Sequence, residues 1–275
     1  MKAASDPYYE KVAAYYDFDS QNFEERARQN GVLVRIRQQF RDLSEPFVRG
    51  DVLEIGCGPG LDLLYWAQRR PAARIFGMDI SAGMLHHARA NCERAGLSNV
   101  RLALGTVEDI AKLFPDVRFD CVICYFGALN TARDLSQAAE VIYRVMKPHG
   151  TAVLTFVNRW YLFELGWNLL RGKWRRATAR LQQVWGGYAT ARSLESRCYS
   201  PGDVRNAFGP HFSVEATRGY SIVYPAWYRH ETWVKRFPRV CGALWHIDRA
   251  LNLTPCWRFG EYALYVLQAR PATQS

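Results

Sequence analysis

The stretch Asp51-Val-Leu-Glu-Ile-Gly-Cys-Gly-Pro-Gly60 decides the fold, together with Arg74-Ile-Phe-Gly-Met-Asp79, whose acid stands nineteen residues after Gly60. An apolar strand runs into three glycines at alternate positions, a helical segment follows, and a second apolar strand ends on a carboxylate. A chain builds a cradle for an adenosine-type ligand in this way. Gly56, Gly58 and Gly60 let the backbone turn sharply and approach a ligand with no Cβ in the way, and the next helix presents its N-terminal amides there. Asp79 can accept both ribose hydroxyls. A dinucleotide site would read G-x-G-x-x-G and seat a pyrophosphate; here the acid Glu54 precedes the glycines, which repels pyrophosphate but suits an ammonium group. S-adenosylmethionine fits this loop better than a nicotinamide dinucleotide.

Outward from that loop the pattern alternates. Strands are predicted near 51–55, 74–79, 100–104, 118–125 and 150–157, with helices near 60–70, 82–95 and 133–147. Short apolar strands separated by helical patterns imply a parallel sheet wound on both faces, with the ligand at the carboxyl ends of the strands. Residues 7–44 read as two helices, the first carrying Tyr8, Tyr9, Val12, Tyr15 and Tyr16, the second Val32, Leu33, Ile36, Phe40 and Leu43, ending before Pro46.

These motifs resemble the class I S-adenosylmethionine-dependent methyltransferases, in particular their small-molecule members. The resemblance covers residues 8–157 well and the remainder loosely. It rests on the glycine loop, Asp79-Ile-Ser-Ala-Gly-Met84, Gly105-Thr-Val-Glu-Asp109, Phe119-Asp-Cys-Val-Ile-Cys-Tyr125, and the run from Leu135 into Lys147-Pro-His-Gly150. It implies an α/β fold with a doubly wound, Rossmann-like, mostly parallel seven-stranded sheet, an N-terminal helical cap and a helical lid insertion. It further implies that Asp79 binds ribose, that Ile80 and Met84 flank the adenine, and that Val107 and Glu108 lie near its amino edge. Where the family usually has Gly-Asp this chain has Gly105-Thr106, so Thr106, a backbone carbonyl or Glu108 is left to hold the adenine amine. Ala14-Tyr-Tyr-Asp17 resembles the segment that closes over the cofactor, with Tyr16 as its aromatic; plain packing on the sheet is the alternative. Arg26 or Arg35 are weaker candidates for the cofactor's carboxylate. Tyr125 can touch the cofactor, and Asn130 reads either as a ligand contact or, preferably, as a helix N-cap.

The organisation expected is a cap over 1–50, a cofactor-binding core over 51–157, a basic aromatic insertion over 158–198, and a part over 199–275 that completes the sheet and the substrate pocket. The 275 residues, 49% of them hydrophobic, suffice for a large core. The start lacks an apolar leader and no eighteen-residue apolar run occurs, so a cytoplasmic protein is expected. Seven cysteines are scattered; Cys121 and Cys124 alternate within an apolar strand, where buried thiols are the ordinary outcome, and no metal site is expected.

The insertion carries Trp160, Phe163, Trp167, Leu170, Trp174, Ala177, Leu181 and Val184 at spacings of three and four, as one amphipathic helix or as two with a turn near Arg171-Gly-Lys173. Residues 159–197 hold eight Arg or Lys against Glu164 and Glu195, supplying +6 of the net charge of +10. A lid roofing the pocket, a peripheral membrane contact through 159–185 delivering an amphiphile, a dimer seam and a nucleic-acid contact all fit. Base methylation is disfavoured, because Cys124-Tyr-Phe-Gly-Ala-Leu-Asn130 carries neither an Asn/Asp-Pro-Pro-aromatic run nor a Pro-Cys nucleophile. The C-terminal part reads as a short helix near Pro201, a strand from Phe212, a mixed aromatic stretch suited to walling a flat substrate, and a last apolar strand; His230 and Glu231 are its weak candidates for a catalytic base. The expectation is methyl transfer from S-adenosyl-L-methionine to an O, N or C atom of a small or amphiphilic acceptor by a monomer or homodimer. The alternatives are an RNA or protein methyltransferase docking through the insertion, a cofactor-binding protein without turnover, and a non-methyl use of the cofactor.

Overall fold

The computed structural model describes residues 6–187 and 194–271 of the chain. Two helices lead, α1 (Pro7–Gln29) and α2 (Gly31–Ser44). Asp6 caps the first by accepting from the Tyr8 amide, and Pro7 fills the first turn, where a missing N–H costs nothing. Asn30 separates the two helices. Its side-chain oxygen accepts from the Val32 and Leu33 amides and its own amide donates to the Trp227 carbonyl. The buried face of α2 holds Val32, Leu33, Ile36 and Phe40.

Strands and helices then alternate as β1 (Asp51–Ile55), α3 (Leu61–Arg69), β2 (Arg74–Asp79), α4 (Ala82–Arg94), β3 (Val100–Leu104), α5 (Ile110–Leu113), β4 (Phe119–Cys124), α6 (Leu135–Val145) and β5 (Met146–Val157). These five strands are parallel, with β1 between β2 and β4. Being flanked by strands on both edges and by helices on both faces, β1 is buried at every residue, its two acids Asp51 and Glu54 included. After β5 come α7 (Leu162–Leu170), α8 (Trp174–Ala177), α9 (Pro201–Phe208), β6 (Phe212–Tyr220), α10 (Trp227–Arg236), α11 (Pro238–Leu251) and β7 (Tyr262–Ala269). The seven-stranded sheet has the order β3-β2-β1-β4-β5-β7-β6, and β7 pairs antiparallel with both neighbours.

Two sequence expectations are corrected and one alternative is decided. β5 begins at Met146 rather than near 150, pairing with Phe119 before a register shift. Of the two readings of the insertion the structure has the divided one: α7 ends at Leu170, Gly172 takes a positive φ, and the short α8 and a 3-10 turn over Ala179–Leu181 follow. The aromatic stretch before β7 is two helices, α10 and α11. They are tied to the end of β6 by buried Asp248, whose carboxylate accepts from the amides of Ser221, Val223 and Tyr224. Part of the insertion, residues 188–193, lies outside the described residues.

The sheet has two apolar layers. One packs β-strand residues against α5, α6 and α9 and includes Cys124; the other packs them against α2, α3 and α11 and includes Cys121. An odd spacing in a strand puts two side chains on opposite faces, so this C-x-x-C pair cannot share a metal or a disulfide. Burial pushes both thiols up to about 12. Among the described residues no three His, Cys, Asp or Glu side chains gather as a metal would require, and no helix is long and apolar enough to cross a membrane.

The insertion is pinned to the sheet by one buried arginine. Arg180, 4% exposed, donates to Glu164 at 2.6 Å and to the Asn158 carbonyl at 3.3 Å, and faces the Glu261 carboxylate at 3.6 Å. Its guanidinium stacks over Tyr161 and Trp185, each 4.9 Å away.

Candidate active site

At the carboxyl end of β1 the chain turns through Gly56 (φ 70°), Gly58 (φ 54°) and Gly60 (φ 83°) into α3. A Cβ at Gly56 would sit 2.3 Å from the Ala128 Cβ, so only glycine admits both the left-handed turn and the loop that follows β4. The Gly56 and Cys57 amides donate to the Met78 carbonyl, holding the turn against the tip of β2.

Asp79 ends β2 beside that turn. Its carboxylate is 8% exposed and accepts from the Gly58 amide at 2.8 Å and the Ser81 amide at 2.9 Å. Burial outweighs these bonds and pushes its pKa up to about 6. An ionised carboxylate offers about four acceptor positions, so capacity for two hydroxyl donors is left. Ser81 caps α4 by accepting from the Met84 amide, which places Met84 beside the same space.

That space is a cavity of about 150 Å³ whose wall includes Tyr16, Gly56, Gly58, Asp79, Ile80, Met84, Thr106, Val107 and Tyr125. Of the twelve residues the sequence nominates for the cofactor, these nine meet there. Gly60 lies behind the wall as the residue preceding α3. Glu108 is turned away, accepting from the Tyr9 hydroxyl at 2.5 Å. Thr106 faces the cavity while donating from its amide and hydroxyl to Asp109. Tyr125 donates to the Ser44 hydroxyl at 2.6 Å.

Glu54 lies beneath the loop rather than in the cavity wall. It is 3% exposed, its Oε2 has no hydrogen-bond partner, and burial followed by the neighbouring Asp62 carboxylate raises its pKa well above the usual carboxylate range. Arg37 and Arg41, one helical turn apart on α2, both pair with Asp62 and oppose that rise. A buried acid with an open lone pair beside the glycine turn fits a ligand bearing an ammonium group. The cradle as a whole fits an adenosine joined to an amino acid.

Helix α1 lies over the cavity. Asp17 accepts from the Ser81 hydroxyl at 2.6 Å and the Gly83 amide at 2.9 Å, Tyr9 reaches Glu108, and the Tyr8 hydroxyl donates to the Thr131 and Glu195 carbonyls. Tyr16 forms part of the roof. Its hydroxyl pKa is raised, chiefly by burial.

A second chamber of about 250 Å³ adjoins the first and shares Tyr16, Phe23, Phe126 and Thr131 with it. Its further walls include Leu33, Val157, Trp185, Trp227 and Tyr262, with Asp19, Arg26 and Arg37 as charged members. Phe126, at the boundary, has φ 55°, an uncommon conformation for a bulky residue. Arg26 makes a two-point ion pair with Asp19 at 2.6 and 3.1 Å. Arg37, whose guanidinium lies 4.6 Å from the Phe126 ring centroid, was not nominated by the sequence; its i, i+4 relation to Arg41 opposite Asp62 is the signal that marks it.

Other nominated residues go elsewhere. His230 hydrogen-bonds the Tyr224 hydroxyl at 3.0 Å and packs on Gly31, and exposed Glu231 sits on α10; neither lines the two spaces. Burial lowers the His230 pKa. Arg35 stacks on Trp245. Asn130 is not a helix cap: it donates to the Val157 and Arg197 carbonyls and accepts from the Val157 amide, riveting the loop after β4 to the end of β5, while Asp134 caps α6.

Comparison with known proteins gives this geometry a class. Residues 52–150 match the family described as methyltransferase domain. A demethylmenaquinone methyltransferase of Symbiobacterium thermophilum is 37% identical over 107 residues, 38% of this chain and 41% of that protein. A nocamycin O-methyltransferase of Saccharothrix syringae is 32% identical over 121 residues, 44% of this chain and 42% of that protein. The chain thus matches less than half the length of these relatives. The crystal structure of magnesium protoporphyrin IX methyltransferase from Synechocystis PCC 6803 with bound SAH aligns over 96% of this chain and all of that one, at TM-score 0.58 and 15% identity. Residues 52–150 thus match a methyltransferase domain in sequence, and the seven-stranded sheet around them shares the fold of the Synechocystis structure.

Proposed function

We propose that this protein is an S-adenosylmethionine-dependent methyltransferase acting on an O, N or C atom of a small or amphiphilic acceptor. The observation that carries the reading is the pair of adjoining spaces: a cradle fitted to adenosine, beside a partly open chamber walled mainly by aromatic and aliphatic side chains. Its volume suits a small molecule. The matches to demethylmenaquinone and nocamycin methyltransferases support an acceptor of that scale.

In this reading Asp79 accepts the ribose hydroxyls, the glycine turn admits the ligand to backbone contact, and Glu54, buried beneath that turn, acts on the ammonium from behind the cavity wall. Ile80, Met84 and Val107 flank the adenine. Thr106, whose hydroxyl retains acceptor capacity, holds its amine together with the backbone nearby, and Tyr16 with α1 covers the site. When bound, the cofactor supplies a methyl group already activated by positive sulfur. The protein then has to orient the acceptor and exclude water, and orientation alone is worth up to about 7–11 kcal/mol. Asp19 offers the carboxylate within the second chamber for an acceptor that must lose a proton, with Arg26 fixing its position. Its place over the chamber makes it a better base than His230 or Glu231.

The test is incubation with methyl-labelled S-adenosylmethionine and separate lipid, polar-metabolite, RNA and protein fractions of a cell extract. Label in the lipid or metabolite fraction is expected. Label confined to RNA or protein would overturn the acceptor class, and cofactor binding without label anywhere would overturn turnover.

A further inference from the structure

The proposed reaction leaves unused a cleft on the outside of the molecule. Helices α7 and α10 pack through Trp167 and Trp233, whose ring centroids are 5.7 Å apart. Beside this contact opens a cleft of about 370 Å³, walled by those rings with Tyr228 and Phe237 and bordered by Arg171, Arg229 and Arg236. The three guanidiniums lie on aromatic faces: Arg171 is 4.6 Å and Arg229 5.4 Å from the Trp167 centroid, and Arg236 is 5.5 Å from that of Phe237. Among the described residues none of the three has a carboxylate in ion-pair reach, whereas Arg26, Arg37, Arg41, Arg69, Arg74 and Arg180 all do.

The rim is apolar where water should make it costly. Leu170 is 87% and Trp174 67% exposed, flanking Arg171-Gly-Lys173, and Phe237 and Val240 stand half exposed at the junction of α10 with α11. The same segments carry exposed Lys173, Arg175, Arg176, Lys235 and Arg239. In α10 the one acid is Glu231. Apolar side chains interspersed with unpaired cations match the boundary between acyl chains and anionic headgroups. Nucleic acid would use the charge and the rings but gains little from Leu170 and Val240, which cannot stack.

We infer that this face docks on an anionic lipid surface, with a headgroup phosphate in the arginine cleft and Leu170 and Trp174 entering the acyl boundary. Helix α10, which supplies much of this face, also reaches the second chamber through its first residue, Trp227. Docking therefore sets that chamber next to a reservoir of amphiphiles. It does not depend on methyl transfer, so vesicle binding and catalysis fail separately.

The test is co-sedimentation of the full chain at low ionic strength with vesicles of phosphatidylcholine alone, or of phosphatidylcholine and phosphatidylglycerol in equal parts. Binding to the mixed vesicles, declining with added salt, is expected. The triple variant Arg171→Gln, Arg229→Gln, Arg236→Gln should lower the partition coefficient roughly 100-fold, from about fivefold per removed charge. Should that variant misfold, judged by loss of its thermal transition, the double variant Leu170→Ser, Trp174→Ser changes only exposed side chains and should lower partition at least about tenfold. Equal binding to neutral vesicles, a folded triple variant with wild-type partition, or retention on single-stranded RNA without vesicle binding would each overturn the inference.

Discussion

Asp79 makes cofactor affinity a function of pH, and the sign follows from its surroundings. Its pKa in the fold, about 6, lies above the ordinary 3.8 because burial disfavours the charge. The fold alone therefore favours the protonated acid: that contribution to stability is complete below the unfolded value and is lost as pH rises through 6. Ligand binding works in the opposite sense, since two ribose hydroxyls donating to the carboxylate stabilise the charge and draw the pKa back down. Binding S-adenosylhomocysteine then releases a proton, and affinity rises with pH until it levels off above about 6. If the ligand restored the ordinary value, the excursion would be worth about 3 kcal/mol, or roughly 100-fold in affinity between about pH 4 and pH 7. Titration calorimetry in two buffers of different ionisation enthalpy measures both the affinity and the proton released. Glu54 also titrates high beside the same loop, so the experiment is repeated with Glu54→Gln, which should keep the slope assigned to Asp79. Asp79→Asn should flatten that slope and cost about tenfold or more at neutral pH, the worth of one charge-assisted hydrogen bond. A wild-type affinity constant from about pH 5 to 8, or an Asp79→Asn variant that retains the slope, refutes the reasoning.

Further outcomes follow from other contacts. Asp19→Asn should lower kcat by about 10²–10⁴-fold with cofactor affinity intact, read from single-turnover methyl transfer; an equal loss in cofactor binding would mean the residue shapes the cradle instead. Arg180→Met leaves Glu164 and Glu261 without their shared cation and should cost about 3–5 kcal/mol, seen as a lower midpoint in urea unfolding; an unchanged midpoint contradicts the pinning of the insertion. Gly56→Ala forces a Cβ against Ala128 and a left-handed turn on alanine, a penalty of at least about 1–2 kcal/mol, and thermal shift should show the loss together with weakened S-adenosylhomocysteine binding.

The sequence exposed the parallel half of the sheet because each of its strands is short, apolar and bounded by a helix, and the cradle because its glycines and Asp79 are consecutive with those strands. It failed where geometry depends on partners distant in the chain. Asn130 looks like a helix cap until the end of β5 is brought beside it, and Arg37 looks like a solvated helix residue until α3 supplies Asp62. The aromatics of α10 and α11 mask their helical period, since Trp227, Trp233 and Trp245 pack on the core while Tyr228 and Phe237 stand exposed. Asp248, which organises that region by capping three amides, carries no local signal because those amides lie more than twenty residues earlier. The break in the insertion was legible, as Gly172 stands where the stripe turns.

The place of β7 has a consequence for biosynthesis. It follows β6 in the chain but lies between β5 and β6. While a nascent chain leaves the ribosome, β6 therefore emerges with no neighbour to join, and the apolar edge of β5 stays open through all of α10 and α11. Both edges close together when Tyr262–Ala269 slides between them. Until then they are unpaired templates for misassociation, so the interval of translation between Tyr220 and Ala269 is when this protein most needs a chaperone.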